Sequence, residues 1–459
     1  MRAGRLIALA LFVIAAMAVG TACSKSEPGK SPSVLGDWRG SIRLPDKPLQ
    51  VGVSFLDAGK ATIDIPAQGV KGLALKDVET QPDRVRFAIP EVPGDPKFDG
   101  KLDGDKITGT FHQGTREFPL ELEHGKLVPP ARPQEPKSPF PYRSDDVTYR
   151  SGDLTIAGTL TEPNGSGPFP AVLLVVGSGP NNRDEEVDGH KPFLLLADTF
   201  TRAGYAVLRT DQRGVGGTGG KLDDANYNDL ADDILAGVRF LKSRPEIDGA
   251  RIGLMGHSQG GYTAPLAAAR PDSGVAFVIS MAGPSVLGGD ALVEQTKLIG
   301  AAEGTPADQI ATEVRYNTEL TRLLRAGDLE GAKAYTKQMN GELHHGRIPD
   351  DKAAEQITPY LAALVSYDPA PALEALRVPV LACYGGKDLQ VSAAQNEQPM
   401  RDHLRADPDA TVHTFPGLNH LMQPTQTGKP SEYIDIETTI APEVLTYVTD
   451  WLKQRFPTK

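Results

Sequence analysis

From about Val34 to Gly125, apolar and polar positions alternate with a period of two. Val51, Val53 and Phe55 are separated by Gly52 and Ser54, and Ile63 and Ile65 flank Asp64. Val85, Phe87 and Ile89 alternate with Arg86 and Ala88, and Phe118, Leu120 and Leu122 with Pro119 and Glu121. A strand sends successive side chains to opposite faces, so this alternation predicts strands with one buried face. Asp57-Ala58-Gly59, Pro93-Gly94, Asp103-Gly104 and His124-Gly125 punctuate the runs as turns. The expectation for 34–125 is a small antiparallel all-β domain of about eight strands, a barrel or a sandwich, with no catalytic cluster.

Residues 126–142 hold Pro129, Pro130, Pro133, Pro136, Pro139 and Pro141. Proline at that density excludes helix and central strand and predicts an extended, semi-rigid linker. Over 143–459 the pattern changes to alternating strands and helices. Val147–Tyr149 and Leu154–Leu160 read as an opening hairpin, and Ala171–Val176 is a continuous apolar run, as in a strand buried on both faces. Further strands are expected at Tyr205–Thr210, from Ile252, and at Phe277–Met281, Val378–Tyr384 and Thr411–Phe415. Helices are expected near Leu194–Arg202, Asp229–Lys242, Ala393–Leu404 and Pro442–Arg455. This is the grammar of a mostly parallel sheet with helices on both faces. Only 284–369 breaks it, with helical patterns and no clear strand. A structureless loop of that length is implausible, so a helical cap insertion is expected.

Of the 459 residues 39% are apolar and 23% charged, which is ordinary for a globular protein. The net charge of -11, with no basic stripe, argues against a nucleic-acid partner. The N-terminus differs in kind. Arg2 and Arg5 precede an apolar stretch, Leu6–Val19, followed by Gly20-Thr21-Ala22-Cys23. A basic start, a short apolar core and small residues predict an export signal over 1–22 rather than a membrane span. Cys23 after the small residues resembles a bacterial lipoprotein cleavage site, although Gly20 stands where an aliphatic residue is usual. The resemblance implies lipidation of Cys23 and attachment to a membrane, while Ser24–Ser33, rich in Ser, Lys, Pro and Gly without apolar periodicity, predicts a flexible tether over 23–33. Ser24 resembles outer-membrane sorting, facing the periplasm or the cell surface. An ordinary secretory signal cut nearby is the alternative. The other cysteine, Cys383, lies in an apolar run and reads as an inert core residue.

Candidate chemistry centres on Gly256-His257-Ser258-Gln259-Gly260, between the strand from Ile252 and a helix through Tyr262–Ala269. A sharp strand-to-helix turn leaves no room for side chains, which explains Gly256 and Gly260. A serine hydroxyl is a poor nucleophile and needs a base, and the base needs an orienting acid. His420 follows the strand ending at Phe415, and Asp388 follows the strand ending at Tyr384. Ser258, Asp388, His420 is the chain order of α/β-hydrolases, each after a strand end. An oxyanion hole is also required. Gln259 is expected to give one backbone N–H. Gly179, or failing that Ser178, in Gly177-Ser178-Gly179-Pro180 is expected to give the other.

Other groups read more plainly. His257 is expected to pack rather than react. His413 lies within a strand, Asp368 reads as a turn residue, and adjacent His344 and His345 diverge on a helix, so no metal site is expected. Asp211–Thr218 lacks the ending of a phosphate loop and is expected to shape the floor of the site.

Gly177–Asp184, Asp211–Thr218, Gly256–Gly261 and Gly417–His420 together resemble bacterial carboxylesterases of the EstD type. These are α/β-hydrolases with a helical cap, near the dienelactone hydrolase and serine aminopeptidase groups. The resemblance runs from Tyr142 to the C-terminus and also takes in Glu432–Trp451. Gly36–Gly40 and Gln113-Gly114 are similar to the β domain often found ahead of such enzymes. It implies a serine esterase acting on a small-molecule ester through an acyl-serine, without metal or cofactor. Arg183 and Asp184 match the family loop and are expected to line the pocket. A peptidase or acyltransferase on the same triad is the alternative, since fold does not fix substrate. A non-catalytic binding lipoprotein is a further alternative. For a peptidase, Glu185, Glu186 and Asp188 are the carboxylates that would hold a substrate amine; the competing reading of Asp184-Glu185-Glu186 is a solvated acidic turn.

Overall fold

The computed structural model describes residues 34–458 apart from 45–47, 58, 67–69, 91, 93, 115, 129 and 345–348. The expected signal, tether and lipidation at Cys23 lie outside the described residues. The chain divides near Pro130 into two compact units.

The first unit is a single nine-stranded antiparallel sheet. Its strands are β1 Gly36–Ile42, β2 Leu49–Asp57, β3 Lys60–Ile65, β4 Val70–Ala74, β5 Lys76–Gln81, β6 Arg84–Ala88, β7 Lys97–Asp103, β8 Lys106–Gln113 and β9 Arg116–His124. The first strand pairs with both β2 and β9, and among the described residues only β4 and β5 are left as edges. Those two edges are consecutive in the chain. Leu75 between them donates its N–H to Ala61 O on β3 at 2.8 Å, and the chain passes directly from one edge strand to the other, so the sheet is a nearly closed barrel. A single nearly closed sheet, not two packed sheets, answers the expectation as a barrel. The alternating residues Val51, Val53, Phe55, Ile63, Phe87, Leu120 and Leu122 meet in one core. The Trp38 indole lies in that core and donates Nε1–H to Val34 O at 2.7 Å, satisfying its buried donor.

In the second unit an eight-stranded sheet runs in the order β10-β11-β13-β12-β14-β15-β16-β17. The strands are β10 Arg143–Ser151, β11 Leu154–Glu162, β12 Phe169–Val175, β13 Ala206–Thr210, β14 Ile247–His257, β15 Val278–Met281, β16 Val380–Gly385 and β17 Ala410–Phe415. The hairpin β10–β11 joins the sheet antiparallel, and from β13 onward every pairing is parallel. Ala171, Leu173 and Val175 fall in the core on one face, and Val172, Leu174 and Val176 in the core on the other. The unbroken apolar run thus buries both faces of a central strand.

Crossing helices α1 Pro192–Arg202, α2 Tyr227–Lys242 and α3 Gly260–Ala268 connect β12 to β15. Asn226 caps α2, accepting from the N–H groups of Asn228 and Asp229, with the Asp229 carboxylate reaching back to Asn226 N–H. The chain leaves β12 toward β13 but leaves β14 toward β15, in the opposite direction. That reversal opens a crevice at the carboxyl ends of β12 and β14. Between β15 and β16 lie only helices among the described residues. These are α4 Gly288–Glu303, α5 Ala307–Arg325, α6 Leu329–His344, α7 Asp350–Ala354, α8 Pro359–Ser366 and α9 Ala370–Ala375. Two further helices, α10 Ala393–His403 and α11 Pro442–Arg455, complete the unit.

Among its described residues the proline-rich stretch forms no helix or strand, as its composition requires, yet its side chains are engaged. Arg132 donates to the carbonyls of Asp188, Ile434 and Ile436, and Gln134 bonds the backbone of Thr439 and Ile440. From Ala131 on the stretch is therefore part of the second unit.

Candidate active site

Two loops meet at the crevice because β12 and β14 end level, Val175 facing Gly256 across the ladder. One carries Gly177–Gly179, the other Ser258. Ser258 has φ +53, a left-handed conformation that costs a non-glycine residue roughly 1–3 kcal/mol and persists only where its surroundings enforce it. They do so here by crowding. A Cβ on Gly256 would lie 2.0 Å from Gly260 O, and one on Gly260 would lie 2.2 Å from Val175 O. Ser258 N–H donates to Met281 O at 3.0 Å, anchoring the turn to β15.

Asp388 and His420 arrive from the neighbouring strands β16 and β17, which also end level at Gly385 and Phe415. Gly386 N–H donates to Phe415 O, and Lys387 N–H to Leu418 O, so the two loops are tied together. His420 Nδ1 stands 2.8 Å from Asp388 Oδ2, and its Nε2 stands 3.0 Å from Ser258 Oγ. The carboxylate is an acceptor, which puts the ring proton on Nδ1 and leaves Nε2 to accept from the serine hydroxyl. The other Asp388 oxygen accepts from Gln390 and Val391 N–H at 2.7 and 2.9 Å, holding the carboxylate in one orientation. His420 and Asp388 are each 3% exposed, so little water competes for these bonds. The structure thus brings together the three residues that the sequence singled out across 163 positions of chain.

The expected donors of the second loop are placed differently. Gly179 N–H donates to the Tyr360 hydroxyl on α8 at 3.0 Å, so it is already taken. Among the described residues neither Ser178 N–H nor Gln259 N–H meets an acceptor. Gln259 sits at the N-cap of α3, where the helix dipole favours negative charge.

Further side chains hold the loops of the site in place. The Asn419 side chain accepts from Leu421 and Gln423 N–H, each at 3.0 Å, and so shapes the loop around His420. Arg183 places its guanidinium on Asp211 and Asp146, and Asp184 pairs with the buried Arg209. These two residues therefore pin the loop after β12 to the neighbouring strands. Asp211 also takes Gly217 N–H, closing the 211–218 loop on itself. Glu185 accepts from Gly177 N–H at 2.5 Å and stands 3.1 Å from His257 Nδ1. Burial opposes a charge on the His257 ring, but the Glu185 carboxylate outweighs it and holds the pKa above the ordinary histidine value.

The remaining candidates stay apart from this cluster. The His413 ring stacks on Tyr447, and Asp368 accepts from Ala370 N–H in a turn. Burial pushes the Cys383 thiol up to about 12, which leaves it inert. His345 lies outside the described residues.

Among curated relatives, Esterase EstD of Thermotoga maritima is 28% identical over 285 residues, covering 61% of this chain and 61% of that protein. Dipeptidyl-peptidase 5 of Porphyromonas gingivalis is 32% identical over 119 residues, 25% of this chain and 17% of that protein. The chain thus matches less than two thirds of either relative. Among solved structures, the Pyrococcus furiosus esterase Pf2001 matches with TM-score 0.43 at 16% identity, over 72% of this chain and 98% of that one. A family model described as the alpha/beta hydrolase family matches residues 172–432, more than half of the chain. That span runs from the central strand β12 past the loop of His420, and the chain belongs to the alpha/beta hydrolase family.

Proposed function

We propose that this protein is a serine carboxylesterase. The observation that carries the reading is the hydrogen-bonded run from Ser258 Oγ through His420 to Asp388 at the crevice of the sheet. In this reaction Ser258 Oγ attacks the ester carbonyl while His420 Nε2 takes its proton. Asp388 holds the imidazolium that forms. Negative charge moves to the carbonyl oxygen, and the Gln259 and Ser178 N–H groups receive it. His420 then protonates the departing alkoxide, leaving an acyl-serine. Water, deprotonated by the same imidazole, attacks the acyl group and restores Ser258.

The preference for esters over amides has its own support. An aminopeptidase needs carboxylates to hold the substrate amine. Of the candidate carboxylates, Glu185 is buried and engaged with Gly177 and His257, and Glu186 is exposed. The purified protein is therefore expected to turn over p-nitrophenyl esters with kcat/KM at least roughly a hundredfold above matched anilides, about 2.7 kcal/mol of discrimination. Parity between the two, lost on neutralising Glu185 or Glu186, would favour a peptidase instead.

We also propose that the enzyme is exported and held at a membrane through lipid on Cys23. The basic start, the apolar core and the small residues before Cys23 support this. Among the described residues no helix is long and apolar enough to cross a membrane.

A further inference from the structure

The Tyr360 hydroxyl is the point where the helical insertion meets the catalytic loops. Its oxygen accepts from Gly179 N–H at 3.0 Å and its proton goes to Gln259 Oε1. Gly179 follows β12 and Gln259 follows the nucleophile, so one phenol joins both sides of the crevice. Tyr360 is 8% exposed and packs with Tyr227, Tyr262 and Leu230, which leaves its ring little freedom. Thr358 caps α8 through Leu361 N–H, and Tyr360 N–H donates to Asp223 O, so the backbone is fixed as well. Burial pushes the phenol up to about 12, so it keeps its proton at neutral pH and remains a donor.

A tetrahedral oxygen is stabilised only by donors already in place, because moving them during the reaction forfeits much of the gain. Ser178 N–H belongs to a glycine-flanked loop, and Gly179 beside it has φ +92. Within the loop the Asn181 amide holds the Gly177 and Ser178 carbonyls, and the Gly179 N–H is held from the insertion, by Tyr360. We propose that Tyr360 is a positioning residue of the oxyanion hole: its hydroxyl fixes the Gly179 peptide against the Gln259 side chain, holding the Ser178 and Gln259 N–H groups at the spacing the transition state requires. The insertion thereby enters the chemistry through one hydroxyl. This inference rests on the esterase reading above.

The test compares an oxoester with the matching thionoester, in which sulfur replaces the carbonyl oxygen. Sulfur is a weak acceptor on a longer bond, so the ratio of the two kcat/KM values reads how well the hole is arranged. Tyr360→Phe removes the hydroxyl and keeps the ring. It is expected to lower that ratio about tenfold while the oxoester KM stays within about threefold. Gln259→Leu deprives the hydroxyl of its acceptor but retains the backbone N–H; it carries the same expectation, and serves alone if Tyr360→Phe does not accumulate. The double variant should fall no further than the worse single one. An unchanged ratio, whether rates are intact or fall equally for both substrates, overturns the role of Tyr360. Failure of a fluorophosphonate to label Ser258 in the wild-type protein overturns the esterase reading and this inference with it. Labelled wild type with an unchanged ratio in the variants overturns this inference alone.

Discussion

The backbone carbonyl of His420 accepts a hydrogen bond from His257 Nε2 at 3.0 Å. A carbonyl can only accept, so Nε2 carries a proton. The other ring nitrogen faces the Glu185 carboxylate, and both side chains are buried. A chain of contacts therefore runs from Gly177 N–H through Glu185 and His257 to His420, the proposed base. It joins the loop after β12 to the loop after β17 through the residue that precedes Ser258.

This pair makes stability depend on pH. The pKa of His257 is raised on folding from an ordinary 6.5. The contribution is therefore complete below the unfolded pKa and fades as pH rises through the folded value. Glu185→Gln still accepts from Gly177 N–H but cannot hold the imidazolium. Denaturant unfolding is expected to show it about 1–3 kcal/mol less stable than wild type near pH 6, with a smaller gap near pH 9. A gap that is the same at both pH values would mean that His257 is neutral in the folded protein.

The elbow glycines are expected to be intolerant for steric reasons alone. Gly256→Ala and Gly260→Ala each drive a methyl group into backbone, and should lower stability by about 3 kcal/mol or more, or abolish soluble expression. Gly417→Ala, close to His420 in sequence, meets nothing within 4 Å and should be near neutral. Thermal melts of the three variants check this, and a neutral Gly256→Ala would contradict the packing at the turn.

Much of this was legible because period two and continuous apolar runs report burial directly. Val51, Val53 and Phe55 announced a half-buried strand, and Ala171–Val176 a strand buried on both faces. The strands β4 and β5 were not legible individually. They are mostly exposed, so no apolar alternation marks them, and nine strands stand where about eight were expected. In the site, Ser258, Asp388 and His420 were legible because each follows a strand end. Glu185 was not. Within Asp184-Glu185-Glu186 it reads as a solvated turn, and only contacts with Gly177 and with His257, distant in sequence, bury it. Tyr360 was hidden for the same reason, its partners lying on the far side of the insertion. The expectation that Gly179 gives the second donor could not include the Tyr360 hydroxyl, which takes the Gly179 N–H from 181 residues further along the chain.

The acid is expected to matter through geometry rather than charge transfer. Asp388→Asn presents an amide to Nδ1 and favours the wrong tautomer of His420. Ester kcat should fall by about 10⁴-fold, and His420→Ala should fall at least as far. Steady-state kinetics on a soluble ester check both, and near wild-type rates in either variant would remove that residue from the reaction.

Anchoring is separable from catalysis. Cys23→Ser is expected to release active enzyme into the soluble fraction and to block incorporation of radiolabelled palmitate. Wild-type protein that takes up no palmitate would contradict the lipid anchor and leave the esterase reading intact.

The central claim is that Ser258 is the nucleophile, and intact-mass measurement after treatment with a fluorophosphonate tests it most directly. The wild-type protein is expected to gain one phosphonyl adduct, mapped to the peptide containing Ser258, with ester turnover falling in step. Ser258→Ala, folded to the same melting temperature, is expected to gain none. An adduct that persists in Ser258→Ala, or a wild-type protein that is fully labelled elsewhere, would contradict the account.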